Sequence, residues 1–285
     1  MEEQRTATTE GLLTLGLEGE VRTDRSSRLM YATDASIYRE EPLAVVYPRH
    51  TEDIKRLLAF AARHCIGIIP RAAGTSLAGQ VVGSGIVADL SRHFGKILEI
   101  NAGERWVRLE PGVVPDELNA ILRSHGLLFG PETSTSSRCN MGGMIGNNGC
   151  GLHSVVYGSV RDHIISVRAL LHDGSEVVFG ELTGEQFIQK CTLQTAEGEI
   201  YREVERIMSD PGHRESIMAN YPEKTIPRRN TGYSLDDLLY SEPFTPGAGR
   251  KVNLARLICG SEGTLAIVTE AKLGLVPLPP PVKAL

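Results

Sequence analysis

The sequence lacks several patterns that would each point to a class of protein. It has five cysteines but no C-x-x-C pair, and this odd number argues against both a disulfide framework and a thiolate zinc site. No apolar run approaches the ~20 residues that a membrane helix needs, and the N-terminus lacks the basic and then apolar order of a signal peptide. We therefore expect reduced thiols, a cytoplasmic location, no transmembrane segment and no metal site.

The sequence also lacks an excess of positive charge. The net charge is −5 and no basic stripe runs along the chain, so nothing indicates a nucleic-acid partner. No G-x-x-x-x-G-K-[ST] motif is present, which excludes a P-loop. With 41% hydrophobic residues, a chain of 285 residues can bury a sizeable core in one large or two smaller domains.

The hydrophobic patterns that are present predict strands and helices intermixed with hairpins. Residues 43–48 read as the first strand, and Thr51 is expected to cap the helix that follows. Hairpins are expected across 96–110 and around the two-residue turn Asp173-Gly174, and 254–259 reads as a strand. This mixture favours an α+β fold over a doubly wound parallel sheet.

The glycines, 30 in all, cluster in particular stretches, and the first of these is PRAAGTSLAGQ at 70–80. Small side chains leave backbone N–H groups accessible, and consecutive N–H groups form a concavity that suits an anion such as a diphosphate. The alternative interpretation is a plain surface turn, which this stretch alone does not exclude.

A second stretch of this kind is MGGMIGNNGCG at 141–151, which follows the hydroxyl-rich 131–140. We expect it to be a loop whose backbone and asparagine amides again donate hydrogen bonds with little steric bulk. Two such loops would hold a long ligand with a polar centre better than a small ligand.

Two rival motifs also occur near the first stretch. GSGIVA at 83–88 matches a dinucleotide fingerprint, but its glycines lead into a predicted strand, whereas the fingerprint must open a helix. GTSLA at 74–78 matches a nucleophile elbow with Ser76 as nucleophile, and this too requires a following helix. A serine hydrolase that uses Ser76 is therefore kept as an alternative function, and a non-catalytic binding or assembly subunit as another.

Several stretches together resemble one family of flavoproteins. They are PRAAGTSLAGQ, EPGV (110–113), GPETSTSSRCNMGGMIGNNGCG (130–151), YGSVRDHI (157–164), RRNTGYSLDDL (228–238) and GSEGTLAIVTEAKLGLVPLP (260–279). In this order they resemble the vanillyl-alcohol-oxidase-type flavoproteins, which have the PCMH-type FAD-binding fold. Within these they are similar to D-2-hydroxyacid dehydrogenases: the glycolate oxidase FAD subunit, D-lactate dehydrogenase and D-2-hydroxyglutarate dehydrogenase, above all the large forms fused to an iron–sulfur region.

The resemblance implies FAD as cofactor and a set of residues that contact it. The first stretch would hold the pyrophosphate, the second would wrap the phosphates and lie along the isoalloxazine edge, and the third would complete the flavin pocket. The implied cofactor-binding residues are Pro70, Arg71, Ala72, Ala73, Gly74, Thr75, Ser76, Pro131, Glu132, Asn140, Gly142, Gly143, Asn147, Gly151, Glu262, Gly263 and Ile267. Thr75 stands where some relatives carry a histidine bonded to the flavin, so FAD is expected to be held non-covalently.

The resemblance also implies how the chain is divided. Residues 1–39 would be a polar segment, 40–95 the first FAD-binding lobe and 96–277 the second lobe, with a helix-rich insertion near 181–253. Residues 278–285 would lead toward a substrate (cap) domain that is absent from this chain. The expected partners are a 2-hydroxy acid in the complete protein and a downstream iron–sulfur region or other electron acceptor.

No catalytic residue can be assigned from the sequence. His153 and His163 lie in matched motifs, but a lone histidine beside a loop is usually structural. Arg228 and Arg229 match a stretch that approaches the flavin in relatives and could equally be a solvated basic pair. Because the family's base and metal-binding histidines belong to the substrate domain, we expect this chain to bind FAD with little turnover.

Overall fold

The structure is a computed structural model, and it describes residues 2–223, 225–226, 228–230 and 232–280. Residues 281–285 of the expected linker lie outside the described residues. The strands are β1 (Glu20–Arg22), β2 (Ala44–Tyr47), β3 (Ile68–Arg71), β4 (Ile86–Asp89), β5 (Ile97–Asn101), β6 (Trp106–Leu109), β7 (Leu127–Leu128), β8 (Ile164–Leu170), β9 (Glu176–Leu182), β10 (Val252–Asn253), β11 (Ile267–Gly274) and β12 (Val276–Pro277).

Helices are distributed along the whole chain. They are α1 (Glu2–Leu13), α2 (Arg25–Met30), α3 (Thr51–His64), α4 (Pro115–Leu122), α5 (Met141–Asn147), α6 (Ser154–Tyr157), α7 (Val160–His163), α8 (Gly184–Cys191), α9 (Ala196–Ser209), α10 (Pro211–Asn220), α11 (Leu235–Leu239) and α12 (Ala255–Ile258). No helix in the described ranges is both long and apolar enough to cross a membrane.

The two main sheets differ in strand direction. In the first sheet, ordered β1-β2-β4-β3, β1 is antiparallel to β2, while β2, β4 and β3 run parallel. In the second sheet, ordered β10-β9-β8-β11-β6-β5, every neighbouring pair is antiparallel. The fold is therefore mixed α/β without a doubly wound parallel sheet, as the sequence predicts. The lobe boundary at residues 95 and 96 stays a prediction.

Helix α3 connects the parallel strands β2 and β3 and packs toward the second sheet. Its residues Ile54 and Leu58 share a buried apolar cluster with Leu170 of β8 and Ile267 of β11. The helix begins differently from the prediction. His50 is the N-cap, and its Nδ1 accepts a hydrogen bond from the Asp53 amide at 3.3 Å, so that Thr51 is the first helical residue.

Three further local expectations are wrong. The strand at 43–48 is preceded by β1, and part of the predicted strand 254–259 is the short helix α12. The second hairpin has a three-residue loop, since the Leu171 amide bonds to the Ser175 carbonyl at 2.9 Å. In that loop Gly174 alone has a left-handed φ, of 82°.

The largest correction concerns the glycine-rich stretch 141–151, which contains helix α5 in place of the expected loop. Glycine disfavours helix by about 1 kcal/mol per residue relative to alanine, so tertiary contacts must select this conformation. The Gly142 amide bonds to the Pro111 carbonyl at 2.7 Å, and a Cβ at Gly142 would stand 2.6 Å from Pro111 Cβ. Glycine is thus needed for the close approach of α5 to residue 111.

Candidate FAD site

A cavity of about 950 Å³ opens where three segments of the chain converge. The first follows β3 and includes residues 70–81, the second includes residues 133–150 around α5, and the third includes residues 258–268. These segments are more than 50 residues apart in the sequence, so only the tertiary fold brings them together.

The loop after β3 offers its backbone to this cavity. Within the described residues, the amide N–H groups of residues 72–77 donate to no acceptor of the protein. Gly74 has a left-handed φ of 67°, and a Cβ there would overlap the Arg71 guanidinium. The loop therefore has the run of free N–H groups that an anion requires, and Gly74 cannot be replaced without displacing Arg71.

Helix α5 forms the wall opposite this loop. A Cβ at Gly143 would lie 3.4 Å from Ala72 Cβ, so the two walls approach to van der Waals distance. The Asn140 side chain, 5% exposed, donates from Nδ2 to the Gly112 carbonyl at 2.8 Å. Its Oδ1 atom is buried without a hydrogen-bond partner. A buried polar atom on a cavity wall is satisfied when a ligand supplies the missing donor.

The turn before β11 closes the third side. The amides of Gly260 and Glu262 bond to the carbonyls of Ile145 and Gly146 in α5, at 3.1 and 2.9 Å. Gln80 Nε2 donates to Glu262 Oε1 at 3.2 Å, which links this turn to the first loop. Gly263 has a φ of 78°, and a Cβ there would contact Pro70 Cγ at 3.2 Å.

Most of the residues expected to bind the cofactor line the cavity. They are Pro70, Arg71, Ala72, Ala73, Gly74, Thr75, Ser76, Asn140, Gly142, Gly143, Asn147, Glu262 and Gly263. Four do not line it: Pro131, Glu132, Gly151 and Ile267. Of these, Ile267 is buried in the apolar cluster with α3, while its neighbours Ala266 and Val268 line the cavity, because successive residues of a strand face opposite sides.

Glu132 and Gly151 contact each other beside the cavity. A Cβ at Gly151 would stand 2.4 Å from the Glu132 carbonyl, and Glu132 Oε1 lies 3.0 Å from His153 Nδ1. His163 has a structural position, since its Nδ1 and Nε2 lie 3.1 and 2.7 Å from the carbonyls of Gly274 and Tyr157. Neither histidine lines the cavity.

Sequence reasoning missed several wall residues, and two of them carry charge. Arg138 and Asp34 line the cavity, together with the neutral residues Thr33, Ala35 and Gln80. Arg138 is exposed, and within the described part of the chain its guanidinium makes no ion pair or hydrogen bond. An arginine within a hydroxyl-rich stretch was the available indication for Arg138, and no motif of the sequence indicated Asp34.

Arg228 and Asn230 lie beside the part of the chain that carries the cavity residues Gly149 and Cys150. Arg228 Nη2 donates to Cys150 Sγ at 3.1 Å, and Asn230 Nδ2 donates to the Asn148 carbonyl at 2.6 Å. Arg229 is ion-paired with Asp236, so the two arginines are not simply a solvated pair.

The buried Arg161 holds the backbone at residues 229 and 232 in place. Its guanidinium donates to the carbonyls of Arg229 and Arg256 at 3.2 Å, and to that of Cys259 at 2.5 Å. Burial lowers the pKa of Arg161, and burial also raises the pKa of the Cys259 thiol to about 12. Both groups are therefore structural at neutral pH. The charged Arg161 donates hydrogen bonds to backbone carbonyls, and the Cys259 thiol stays protonated.

The structure does not supply the geometry that a serine nucleophile needs. Ser76 lies in a run of turns and bends, and β4 follows it with no intervening helix, so the elbow between strand and helix is missing. Among the described residues, no group of three or more His, Cys, Asp or Glu side chains is arranged to hold a metal ion.

The walls of the cavity fit FAD. Three segments of the chain line the cavity, and their glycines keep its walls close. The residues that line it include the loop with the unbonded amides of residues 72–77 and Asn140, whose Oδ1 has no hydrogen-bond partner. In this arrangement the amides suit a diphosphate, and the apolar residues of the α5 wall suit an aromatic ring system.

Comparison with known proteins agrees with this geometry. Residues 42–180 match the FAD binding domain family. The chain is 40% identical to D-2-hydroxyglutarate dehydrogenase of Pantoea ananatis over 95% of its own length and 26% of that protein. It is 30% identical to glycolate oxidase subunit GlcD of Bacillus subtilis over 91% of its own length and 43% of that protein.

A solved structure shows the same fold at low sequence identity. Alkyldihydroxyacetonephosphate synthase superposes with a TM-score of 0.62 at 19% identity, covering 96% of this chain and 44% of that chain. Among the sequence relatives, the chain spans about a quarter of the length of the D-2-hydroxyglutarate dehydrogenases that it matches. With FAD as its cofactor, the chain has an FAD-binding domain with the PCMH-type fold, and its homologues include D-2-hydroxyglutarate dehydrogenase, glycolate oxidase subunit GlcD and D-lactate dehydrogenase.

Proposed function

We propose that this chain is the FAD-binding module of an enzyme that oxidises a D-2-hydroxy acid of the D-lactate, glycolate or D-2-hydroxyglutarate class. The bound flavin supplies the hydride acceptor, N5, for oxidation at C2 of the acid. Relatives named D-2-hydroxyglutarate dehydrogenase, at 35–40% identity over more than nine tenths of the chain, favour the dicarboxylic substrate.

One observation carries the proposal: residues 72–77, whose amides are free of hydrogen bonds to the described residues, line a cavity that α5 also lines. These groups are preorganised to bind the diphosphate and to hold the dinucleotide along the cleft. Titrating FAD into the flavin-free chain and following flavin fluorescence tests it. We expect saturable quenching with one FAD per chain, and the absence of binding would overturn the proposed function.

The FAD is held non-covalently, because the hydroxyl of Thr75 in the first loop cannot form the bond that a histidine forms with flavin. We expect precipitation of the FAD-loaded chain with acid to release all of its flavin into the supernatant. The measurement is the flavin absorbance of supernatant and washed pellet. A pellet that stays yellow would show a covalent bond and would contradict this part of the proposal.

Catalysis needs a base for the hydroxyl proton, and no histidine lines the cavity in the described residues. We propose that the base and part of the carboxylate-binding site belong to polypeptide outside residues 1–285. D-2-hydroxyglutarate, D-lactate or glycolate should therefore bleach the bound flavin slowly or not at all, although dithionite bleaches it fully. Anaerobic stopped-flow absorbance measures this, and rapid bleaching by any of the three acids would place a complete active site in this chain.

The proposal has three further parts, of which the first two follow from the same resemblance. Electrons would leave the flavin for an iron–sulfur region or another acceptor downstream. The division into lobes 40–95 and 96–277 is retained, with residues 278–285 leading to the substrate domain. The five free cysteines favour a cytoplasmic location.

A further inference from the structure

The segment YATDAS (31–36) forms a cavity wall to which the FAD-binding motifs assign no role. Thr33, Asp34 and Ala35 line the cavity beside the loop that follows β3. The segment is irregular and stands between α2 and β2, about forty residues before that loop. Its position therefore depends on contacts made by more distant residues.

Two buried charged residues hold the segment in place. Arg71, 8% exposed, donates from Nη1 to the Tyr31 carbonyl at 3.2 Å and from Nη2 to the Thr33 carbonyl at 2.8 Å. Asp89, 5% exposed, accepts a hydrogen bond of 2.5 Å from the Tyr31 hydroxyl. Burial and this hydrogen bond raise the pKa of Tyr31, so the hydroxyl remains a donor. The ends of β3 and β4 thus fix the backbone on which Asp34 stands.

Asp34 presents an unsatisfied oxygen within this rigid frame. Its Oδ1 accepts a hydrogen bond from the Ser36 amide at 2.8 Å, whereas its Oδ2 is shielded from solvent and has no hydrogen-bond partner. The Arg71 guanidinium is directed to backbone carbonyls and forms no ion pair with Asp34. A buried acceptor without a donor is destabilising, and a carboxylate oxygen more so than a neutral one.

We propose that Asp34 Oδ2 accepts a hydrogen bond from a neutral donor of the bound dinucleotide, a ribose or ribityl hydroxyl or the adenine amine. This inference rests on the proposed FAD site. A carboxylate repels the diphosphate, so Asp34 marks the part of the cavity that holds the hydroxyl- or amine-bearing portion of the ligand. Arg71 is then a positioning residue, which holds Asp34 through the backbone of residues 31 and 33.

The test compares Asp34→Asn with Asp116→Asn, which removes one exposed carboxylate in the first turn of α4 away from the cavity. Asparagine keeps the shape, but with its Oδ1 accepting from the Ser36 amide it places an NH2 donor where Oδ2 stood, so the donor of the ligand loses its acceptor. We expect the Kd for FAD to rise roughly 10- to 100-fold in Asp34→Asn, the range for a hydrogen bond to a charged group. Asp116→Asn should match the wild type.

Parallel titrations with FMN and riboflavin identify the donor. If Asp34→Asn loses affinity for FAD alone, the donor belongs to the adenosine half. If it loses affinity equally for all three ligands, the donor belongs to the ribityl chain. Wild-type binding of FAD by Asp34→Asn would overturn the inference and leave the proposed function intact. Failure of the wild type to bind FAD would overturn both.

Thermal unfolding without flavin separates this role from a structural one. Because Oδ2 is unsatisfied in the free protein, Asp34→Asn should have a ligand-free Tm no lower than the wild type. FAD should raise that Tm less than it raises the wild-type value. A lower ligand-free Tm, with or without weaker FAD binding, would assign Asp34 a structural role and overturn the inference.

Discussion

Replacing Gly143 by leucine should leave the chain folded but weaken FAD binding by roughly 100-fold, equivalent to about 3 kcal/mol of overpacking and lost contact. A Cβ at Gly143 lies 3.4 Å from Ala72 Cβ, an ordinary contact, so a methyl group fits between α5 and the first loop. The three further carbons of leucine must extend into the cavity that both residues line. The Kd is measured by quenching of flavin fluorescence.

Gly143→Ala is the matched control for this prediction. It makes the same contact with Ala72 without filling the cavity, and alanine stabilises a helix by about 0.5–1 kcal/mol relative to glycine. We expect the ligand-free Tm of the alanine variant to equal or exceed that of the wild type, with FAD affinity within a few-fold. If the leucine variant bound FAD as tightly as the alanine variant, the flavin would not occupy the part of the cavity next to residue 143.

The first loop was predictable from the sequence because its function depends on small side chains. All seven expected residues from Pro70 to Ser76 line the cavity, since the loop's short side chains bring its backbone to the surface. The second stretch was predicted for the same reason but with the wrong conformation. Its helix depends on the contact of Gly142 with Pro111, 31 positions earlier in the chain, which no local pattern reveals.

The parts that could not be predicted depend on contacts between distant residues. Asp34 reaches the cavity through the bonds of Arg71 to residues 31 and 33, and an unpaired buried oxygen has no counterpart in the sequence. Ile267 was assigned to the pocket because its strand completes it. Side chains alternate between the two faces of the strand, and that of Ile267 lies on the face that packs in the core. Because its neighbours are apolar as well, the sequence did not show which of them lie on that face.

Replacing Asp237 by alanine should lower the free energy of unfolding by about 3–5 kcal/mol, the cost of leaving buried charges without their partner. Asp237 in α11 accepts two hydrogen bonds of 2.6 Å from Arg250, and it also contacts Nε of Arg256. The side chains of Asp237 and Arg256 are 15% and 16% exposed, so water cannot replace the carboxylate fully. Urea unfolding followed by circular dichroism measures the loss.

Glu203→Ala provides the comparison with an exposed ion pair. Glu203 pairs with Arg206 on α9, where both side chains are more than half exposed, so its removal should change stability little. A loss in Asp237→Ala as small as that of Glu203→Ala would show that the contacts of Asp237 with Arg250 and Arg256 contribute little to the stability of the fold.

The same carboxylate should also govern how stability responds to acid. Burial raises the pKa of Asp237, but the charges and hydrogen bonds of Arg256 and Arg250 outweigh burial, and the pKa lies below its ordinary value. The ion pairs therefore contribute fully above the unfolded-state pKa of about 3.9, and this contribution is lost as pH falls through the lower folded-state pKa. Asp237→Asn keeps the shape without the charge, so its stability should fall less steeply than that of the wild type below about pH 4. Parallel curves of unfolding free energy against pH for the two proteins would show that Asp237 has the same pKa folded and unfolded, and would contradict the ion-pair assignment.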